Sequence, residues 1–123
     1  LKGTGLRTIE IPKSVFWIGD GLMADCKLLD HVKIPENINR IPNSMFVGCT
    51  SLKKVELHEN LSEIGERAFF GCSSLDFLII PDSVQQIGQD AFTNTDKQFI
   101  IQCSFGSYAE EYARKNKFKY QLV

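Results

Sequence analysis

Cysteine and histidine are the residue types in this chain of 123 residues that could carry out nucleophilic or metal chemistry, and there are four cysteines and two histidines. Cys26, Cys49 and Cys72 are spaced 23 residues apart. A structural zinc site usually takes paired ligands such as C-x-x-C, and the sequence contains no such pair. A catalytic thiol needs exposure and a nearby base, whereas His31 and His58 fall on a predicted strand face and in a turn. We therefore expect no catalytic residue, no metal site and no cofactor.

The composition is that of a soluble globular protein, with 43% hydrophobic and 24% charged residues. The formal net charge is −1, and no block of basic residues indicates nucleic-acid binding. The longest apolar runs are far too short to span a bilayer, so we expect no membrane insertion. The sequence begins within a repeat unit and shows no leader peptide, so we expect a fragment or a mature piece whose targeting signal is not visible.

The 23-residue spacing extends well beyond the cysteines. The repeating unit reads L-x-x-I-x-I-P-x-x-V-x-x-I-G-x-x-A-F-x-x-C, and its positions keep their residue type from unit to unit without an insertion. Two of the columns are Leu6, Leu29, Leu52, Leu75 and Ile18, Ile41, Ile64, Ile87. A fixed period of this length predicts a solenoid in which every unit forms one coil.

Each unit predicts two short extended segments and one turn-rich segment. The first extended segment is rich in β-formers and ends at Pro, which has no N–H to continue a ladder. The second, V-x-x-I, runs into Gly19, Gly65 or Gly88, where we expect positive φ and a sharp bend, and Pro42 departs from this pattern. We expect the A-F segment to form a short helical turn. One coil cannot bury its apolar side alone, so the coils should stack with parallel strands about 4.8 Å apart.

The I-P, I-G and A-F-x-x-C words resemble the BspA-type leucine-rich repeat, a class common in bacterial surface proteins. The resemblance covers residues 4–103 and implies a leucine-rich-repeat solenoid of β-rich, right-handed coils with short parallel strands. We expect this array over residues 1–103, with about four coils of which the N-terminal one is incomplete. A C-terminal cap should follow over residues 104–123. The family also implies binding to proteins and to cell surfaces.

The Phe column and the Cys column are expected to form the core of the stack. The Phe column holds Met23, Phe46, Phe69 and Phe92. Rings one coil apart suit offset aromatic packing, in which ring centroids lie about 4.5–7 Å apart. We interpret Cys26, Cys49 and Cys72 as reduced, buried thiols. Disulfides between adjacent coils are geometrically conceivable, but three cysteines in register cannot all pair with one another.

Outward strand positions carry charges whose sign alternates from one unit to the next. One column holds Arg7, Asp30, Lys53 and Asp76, and another holds Glu10, Lys33, Glu56 and then Ile79. Neighbouring charges should attract one another, by roughly 0.2–1 kcal/mol per pair. We interpret this pattern as a means of fixing the register and keeping the surface soluble.

The charge pattern ends near the C-terminus, where apolar residues occupy outward or near-outward positions. These residues are Phe77, Ile79, Phe99 and Ile100. Either the C-terminal segment covers them or they form an exposed interaction patch. A short amphipathic helix could supply the cover, since Ser107-x-x-Glu110 is a capping-box sequence. The pairs Glu110–Arg114 and Glu111–Lys115 would support this helix, and an alternating segment after it predicts a last strand.

The first unit has an aromatic pair, Phe16-Trp17, at a position where later units have polar pairs. The polar pairs are Asn39-Arg40, Ser62-Glu63 and Gln85-Gln86. One explanation, which we favour, is contact with an upstream segment or a second chain, because an uncapped N-terminal coil could self-associate. The other explanation is a ligand surface, because Trp is enriched at binding hot spots.

These features predict a non-catalytic binding module that presents a ridged face to a protein or glycan partner. The resemblance implies a larger bacterial protein, at the cell surface or secreted, with a role in adhesion. Reduced thiols would also fit the cytoplasm, so the alternative is a structural spacer or an intracellular scaffold repeat without its own ligand. An enzyme is not expected, because no paired carboxylates, phosphate-binding glycine loop or nucleophile–base pair stands out.

Overall fold

The chain forms a solenoid of about five turns with short parallel strands. The computed structural model describes residues 2–3 and 5–123. The elements are β1 (Thr8–Glu10), β2 (His31–Lys33), β3 (Arg40–Ile41), β4 (Lys54–Glu56), β5 (Glu63–Ile64), β6 (Phe77–Ile79), β7 (Gln86–Ile87), β8 (Ile100–Cys103), α1 (Tyr108–Lys115) and β9 (Lys119–Leu122). We number the coils from the Leu column, so that coils 1 to 5 begin at Leu6, Leu29, Leu52, Leu75 and Gln98. This architecture confirms the predicted solenoid.

The strands form three parallel sheets whose register follows the 23-residue repeat from β1 to β8, and β9 pairs with β8 outside that repeat. The strand orders are β1-β2-β4, β3-β5-β7 and β6-β8-β9. Ile9 pairs with Val32, and Val32 pairs with Val55, so that one apolar column lies side by side across the first sheet. Because side chains alternate across a strand, the neighbours of these residues face outward.

A tight turn follows the first strand of each of coils 1 to 4. In each turn a backbone N–H donates to the carbonyl oxygen three residues earlier, at 3.0–3.1 Å. These bonds join Val15 to Pro12, Ile38 to Pro35, Leu61 to His58 and Val84 to Pro81. The turn at His58 shows that this conformation does not require proline.

The A-F segments are runs of consecutive turns that are joined from coil to coil by backbone hydrogen bonds. The N–H groups of one coil donate to carbonyls of the next, from Met23 to Met45, Phe46 to Ala68 and Phe69 to Ala91. Two columns have positive φ, namely Gly21, Ser44, Arg67, Asp90 and Asp25, Gly48, Gly71, Asn94. Left-handed residues on both sides of each run prevent a continuous helix. Among the described residues, α1 is therefore the one helix.

Glycine follows the second strand for a different reason than the sequence predicts. Gly19, Gly65 and Gly88 do not have φ values in the left-handed region. At Gly65 and Gly88, the backbone of the previous coil instead approaches closely. A Cβ on Gly65 would lie 2.8 Å from the carbonyl oxygen of Ile41, and one on Gly88 would lie 2.5 Å from the backbone nitrogen of Glu66. The absence of a side chain, and not positive φ, is what these positions require.

A stack of aromatic rings forms the centre of the core. The ring centroids of Phe46 and Phe69 lie 5.3 Å apart, and those of Phe69 and Phe92 lie 5.6 Å apart. Phe99 continues the stack at 5.1 Å from Phe92. Met23 is buried at the same position in coil 1. These distances are typical of offset stacking, so the Phe column packs as predicted.

The second sheet stops at β3, and Pro42 explains why. In later coils the glycine N–H donates to the isoleucine carbonyl one coil earlier, as from Gly65 to Ile41 at 2.8 Å. Pro42 occupies the equivalent glycine position and has no N–H, so the carbonyl of Ile18 cannot receive this bond. Residues 16–18 consequently have no strand pairing to β3.

The first strand ladder is interrupted between coils 3 and 4. No backbone hydrogen bond joins β4 to β6 in the described chain, although the two strands occupy adjacent coils. The outward residues change at the same place. They are charged on β4, with Lys54 and Glu56, and apolar on β6, with Phe77 and Ile79.

Helix α1 and strand β9 cover the C-terminal end of the core. The predicted capping box forms in part, because the Ser107 hydroxyl accepts the N–H of Glu110 at 3.2 Å. The Glu110 carboxylate accepts the N–H of Gly106 at 2.7 Å, so it does not pair with the arginine four residues later as predicted. The predicted ion pair between Glu111 and Lys115 is present at 3.0 Å.

The apolar face of α1 packs on the last rings of the stack. Tyr112 contacts Phe92 edge to face at 6.2 Å and stacks on Phe118 at 5.9 Å. The following strand, β9, pairs in parallel with β8, which places Tyr120 beside Ile101. The predicted last strand is thus present and extends the first-strand ladder beyond coil 5.

Candidate functional site

The cysteine column lies inside the stack. Cys26, Cys49 and Cys72 are buried, and Cys49, Cys72 and Cys103 are free thiols. The thiol of Cys49 donates to the carbonyl oxygen of Met23 at 3.0 Å, and that of Cys72 donates to the carbonyl oxygen of Phe46 at 3.1 Å. These two thiols therefore form hydrogen bonds to the previous coil as well as filling space.

Burial makes these thiols poor nucleophiles. Loss of hydration raises the pKa of the Cys49 thiol to about 12, and burial also raises the pKa values of Cys72 and Cys103. The thiolate is the reactive form of cysteine, and these environments suppress it. The column is suited to packing rather than to catalysis.

The two histidines have neighbours that do not form a catalytic group with a thiol. Nε2 of His31 lies 2.7 Å from Oε2 of Glu56, and both side chains are partly exposed. Nδ1 of His58 accepts the N–H of Asn60 at 3.1 Å. Among residues 2–3 and 5–123, no group of three or more His, Cys, Asp or Glu side chains is placed to hold a metal ion.

The outward strand face of coils 1 to 3 is charged, but its closest pair is not the one predicted. Glu10 lies in register with Lys33, and Lys33 with Glu56, so opposite charges occupy adjacent strands. The short contact is instead between His31 and Glu56. This hydrogen bond, with a smaller contribution from Lys54, holds the pKa of Glu56 below its ordinary value.

Phe16 and Trp17 are among the most exposed side chains of the molecule. They are 81% and 77% exposed, whereas Ile18 beside them is buried. The Trp17 ring lies close to Gly19, because a Cβ on that glycine would be 3.4 Å from the ring edge. Both aromatic side chains face solvent.

The same face of coils 2 and 3 is polar and linked between coils. Nη2 of Arg40 lies 3.3 Å from Oε2 of Glu63 and 3.4 Å from Oδ1 of Asn43. The hydroxyl of Ser62 donates to the carbonyl of Asn39 at 3.0 Å. The aromatic pair of coil 1 therefore borders a hydrogen-bonded polar surface.

The predicted C-terminal patch is partly exposed. Of the two alternatives, cover holds for Phe99, which is only 5% exposed because its ring turns inward onto Phe92, so its place in the candidate interaction surface was wrong. Phe77 and Ile100 are half-buried, and Ile79 is 52% exposed. The C-terminal segment thus covers Phe99 and leaves Ile79 in contact with solvent.

One exposed aromatic residue was not identified from the sequence. Phe105 is 84% exposed in the turn before α1. Its column holds charged residues in the earlier coils, namely Lys13, Glu36, Glu59 and Asp82. The replacement of a charge by an aromatic residue in this column was the signal that could have found it.

The 23-residue coils match a known family model. The match is to the BspA type leucine rich repeat region, in six copies over residues 2–113. The chain belongs to this family. A comparison with curated proteins found no match. Within the part of the chain that the structure describes, no helix of this BspA-type repeat protein has the length and apolar character needed to cross a membrane.

Solved structures of bacterial leucine-rich repeat proteins share this fold. A leucine rich cell surface protein from Faecalibacterium prausnitzii A2-165 is 36% identical over 64% of this chain, with a TM-score of 0.60, and the match spans 21% of that protein. A leucine-rich repeat protein from Bacteroides capillosus ATCC 29799 is 27% identical, with a TM-score of 0.70 and coverage of 82% and 79% of the two chains. One from Bacteroides ovatus ATCC 8483 is 24% identical and covers 99% of this chain and 39% of that protein, with a TM-score of 0.66, which supports the fold alone.

Proposed function

We propose that this chain is a non-catalytic, protein-binding module of a larger bacterial protein and that Phe16 and Trp17 are its central contact residues. The observation that carries the proposal is the exposure of both aromatic side chains on a face that is polar in the following coils. Aromatic residues are enriched at the centres of protein interfaces, where their large surfaces are removed from water.

The local structure favours binding by this pair. Residues 16–18 have no strand pairing to the next coil, because Pro42 lacks the necessary N–H. On either side of the pair, the half-buried Val15 and the buried Ile18 pack against the core and anchor the backbone that carries both rings. An aromatic side chain has two rotatable bonds, so its immobilisation on binding costs little conformational entropy.

Absence of catalysis is part of the same proposal. Its support is the buried, hydrogen-bonded state of the cysteine column and the pairing of His31 with Glu56 rather than with a nucleophile. Reactive groups that are protonated or already paired do not provide an activated nucleophile.

The binding proposal is tested by retention of proteins from the surface and secreted fractions of the source cells. The chain is immobilised as wild type, as the Phe16→Ser/Trp17→Ser variant and as the Gln85→Ser/Gln86→Ser variant. The last is a matched control, because residues 85 and 86 occupy the same positions in coil 4. We expect a partner to be retained by the wild type and the control and to be lost with the aromatic variant. Retention by all three chains would contradict the proposed site.

A cell-surface location and a role in adhesion are also proposed. Their support is family membership and the similarity to the F. prausnitzii protein described as a leucine rich cell surface protein. Protease treatment of intact source cells should release peptides of this chain. Peptides that appear only after lysis would contradict a surface location and favour an intracellular scaffold.

A structural spacer without a ligand is the second candidate. The observation in its favour is the backbone ladder that joins the A-F segments from coil to coil, since a continuously bonded stack suits a stiff connector. A spacer predicts that the wild type and the aromatic variant retain the same background proteins. Concentration-dependent sedimentation of the wild type, absent in the aromatic variant, would instead identify a second copy of the chain as the partner.

A further inference from the structure

A column of apolar residues between two lysines lies on the first-strand face of coils 3 to 5. The register places Phe77 beside Ile100 and Ile100 beside Lys119. Lys54 occupies the same column in coil 3, which precedes Phe77 by one coil. Ile79 lies two residues further along β6 and faces outward with it. We call these five residues the lysine-bracketed patch.

The part of the chain that the structure describes covers this patch only in part, because Phe77 and Ile100 are half-buried. The C-terminal segment buries Phe99 next to it but leaves Ile79 exposed. The strand neighbour of Ile79 is Gln102, whose amide donates to the side chain of Gln121 at 2.9 Å and forms a polar border. On the other side, the patch crosses the interruption between β4 and β6, because Lys54 lies on β4 at the edge of the charged face of coils 1 to 3.

Charged groups of both signs surround the patch, and Glu56, one coil before Ile79, is paired with His31 on the side away from it. Lys53 and Lys54 are exposed at its coil 3 end, and Lys119 is exposed at its β9 end, where its Nζ donates to the Gln98 side chain at 3.2 Å. Asp76, at the start of β6, is an exposed acidic group beside the apolar residues. The two lysines of the patch therefore lie at the two ends of the column, on either side of an apolar centre.

We propose that the lysine-bracketed patch binds a segment of a partner protein that has an apolar centre and an acidic residue on each side. Two hydrogen-bonded strand spacings of about 4.8 Å separate Phe77 from Lys119, and Lys54 lies one coil before Phe77 across the unpaired step, so the two lysines span roughly 14 Å. An extended segment rises about 3.3 Å per residue, so its acidic residues would stand about four residues apart. The apolar centre of the bound segment would remove Phe77 and Ile79 from water. Its two carboxylates would pair with Lys54 and Lys119 and so hold the segment across the strands.

This contact goes beyond the aromatic pair of coil 1, because it lies on a different face and recognises a different chemistry. Neither surface requires the other. An experiment on the patch can therefore fail while the proposed function of coil 1 stands, and the reverse also holds.

The test is selection of random peptides displayed on phage against the immobilised wild-type chain, followed by fluorescence anisotropy of an enriched peptide. We expect the enriched peptides to combine apolar residues with flanking Asp or Glu. Ile79→Ser and Lys54→Glu/Lys119→Glu should each weaken binding of that peptide by roughly ten-fold. Lys33→Glu, a lysine in the neighbouring outward column, and Phe16→Ser/Trp17→Ser should bind it as the wild type does.

All substituted side chains are at least partly exposed, and unchanged thermal melts confirm that each variant is folded. Enrichment of no peptide, or of peptides without acidic flanks, would overturn the proposal. Equal affinity of the wild type, Ile79→Ser and Lys54→Glu/Lys119→Glu would overturn it as well. Loss of the peptide with Phe16→Ser/Trp17→Ser would show that the selected peptide uses coil 1 instead.

Discussion

The rings of Phe69 and Phe92 stack across adjacent coils, with centroids 5.6 Å apart and planes only 6° apart. Phe46 stacks on the other side of Phe69 at 5.3 Å. Removal of the middle ring would leave a cavity bounded by two rigid aromatic faces, so Phe69→Ala should lower the free energy of unfolding by about 3–5 kcal/mol. Urea denaturation measures this loss.

The neighbouring Phe70 supplies a matched control for the ring deletion. Its side chain is half-buried on the outer side of the turn, so Phe70→Ala should cost about 1 kcal/mol or less. A loss below about 1 kcal/mol for Phe69→Ala would show that the stack is not the main core contact.

Gly88 tests the close approach of adjacent coils. A Cβ at this position would lie 2.5 Å from the backbone nitrogen of Glu66, and backbone atoms cannot move without shifting the whole coil. Gly88→Ala should therefore destabilise the chain by about 3 kcal/mol or more. Gly21→Ala is the control, since it has positive φ but no atom within 4 Å of the new Cβ, and should cost about 1 kcal/mol. Equal losses in denaturant melts would show that conformation, and not contact, sets the glycine requirement.

Pro42 is expected to set the N-terminal limit of the second sheet. Pro42→Gly introduces the residue that later coils have at this position. Its N–H could donate to the carbonyl of Ile18, as the N–H of Gly65 donates to the carbonyl of Ile41. We predict that the new amide bonds to the carbonyl of Ile18 and exchanges slowly with solvent, as we also expect of the hydrogen-bonded amide of Gly65. Hydrogen exchange followed by NMR measures both rates. Rapid exchange at position 42 beside slow exchange at Gly65 would mean that something other than the missing donor separates coil 1 from this sheet.

The buried thiol of Cys49 predicts a loss of stability at alkaline pH. Burial raises its pKa in the folded chain to about 12, from an ordinary value of 9.0 in the unfolded chain. Stability should be unaffected by this group below about pH 9 and should fall as the pH rises towards 12, because only the unfolded chain then releases the proton. Urea melts across this range should show a steeper decline for the wild type than for Cys49→Ala.

Other buried groups contribute to the same alkaline decline, including Tyr112, whose pKa burial raises to about 12. The comparison with Cys49→Ala isolates the share of the thiol. Identical slopes for the two chains, or rapid reaction of all four cysteines with a thiol reagent in the native state, would contradict the buried cysteine column.

The repeat made the stack predictable, because a column of identical residues one period apart has one consistent arrangement. Met23, Phe46, Phe69 and Phe92 could be placed in the core from spacing alone, and the strand register followed from the same columns. The capping helix was predictable from Ser107 and Glu110, whose spacing reflects local hydrogen bonds.

Features that depend on contacts between coils could not be read from one unit. The sequence predicted positive φ at the glycine column. At Gly88, glycine is required instead because a backbone atom of the previous coil leaves no space for a Cβ. Phe99 was placed outside because its column holds charged residues, yet the end of the ring stack leaves an apolar surface that its side chain covers. The sequence predicted an ion pair between Glu110 and Arg114, whereas the Glu110 carboxylate accepts a hydrogen bond from the N–H of Gly106.

The most direct measurement of the central claim is photo-crosslinking from the aromatic pair to its partner. A photoreactive phenylalanine analogue replaces Phe16 in one chain and Gln85, the equivalent residue of coil 4, in another. Both chains are irradiated with the surface and secreted proteins of the source cells, and adducts are identified by mass spectrometry. Our account predicts a discrete protein adduct from position 16 that is absent from position 85. The same adducts from both positions, or none from position 16, would contradict it.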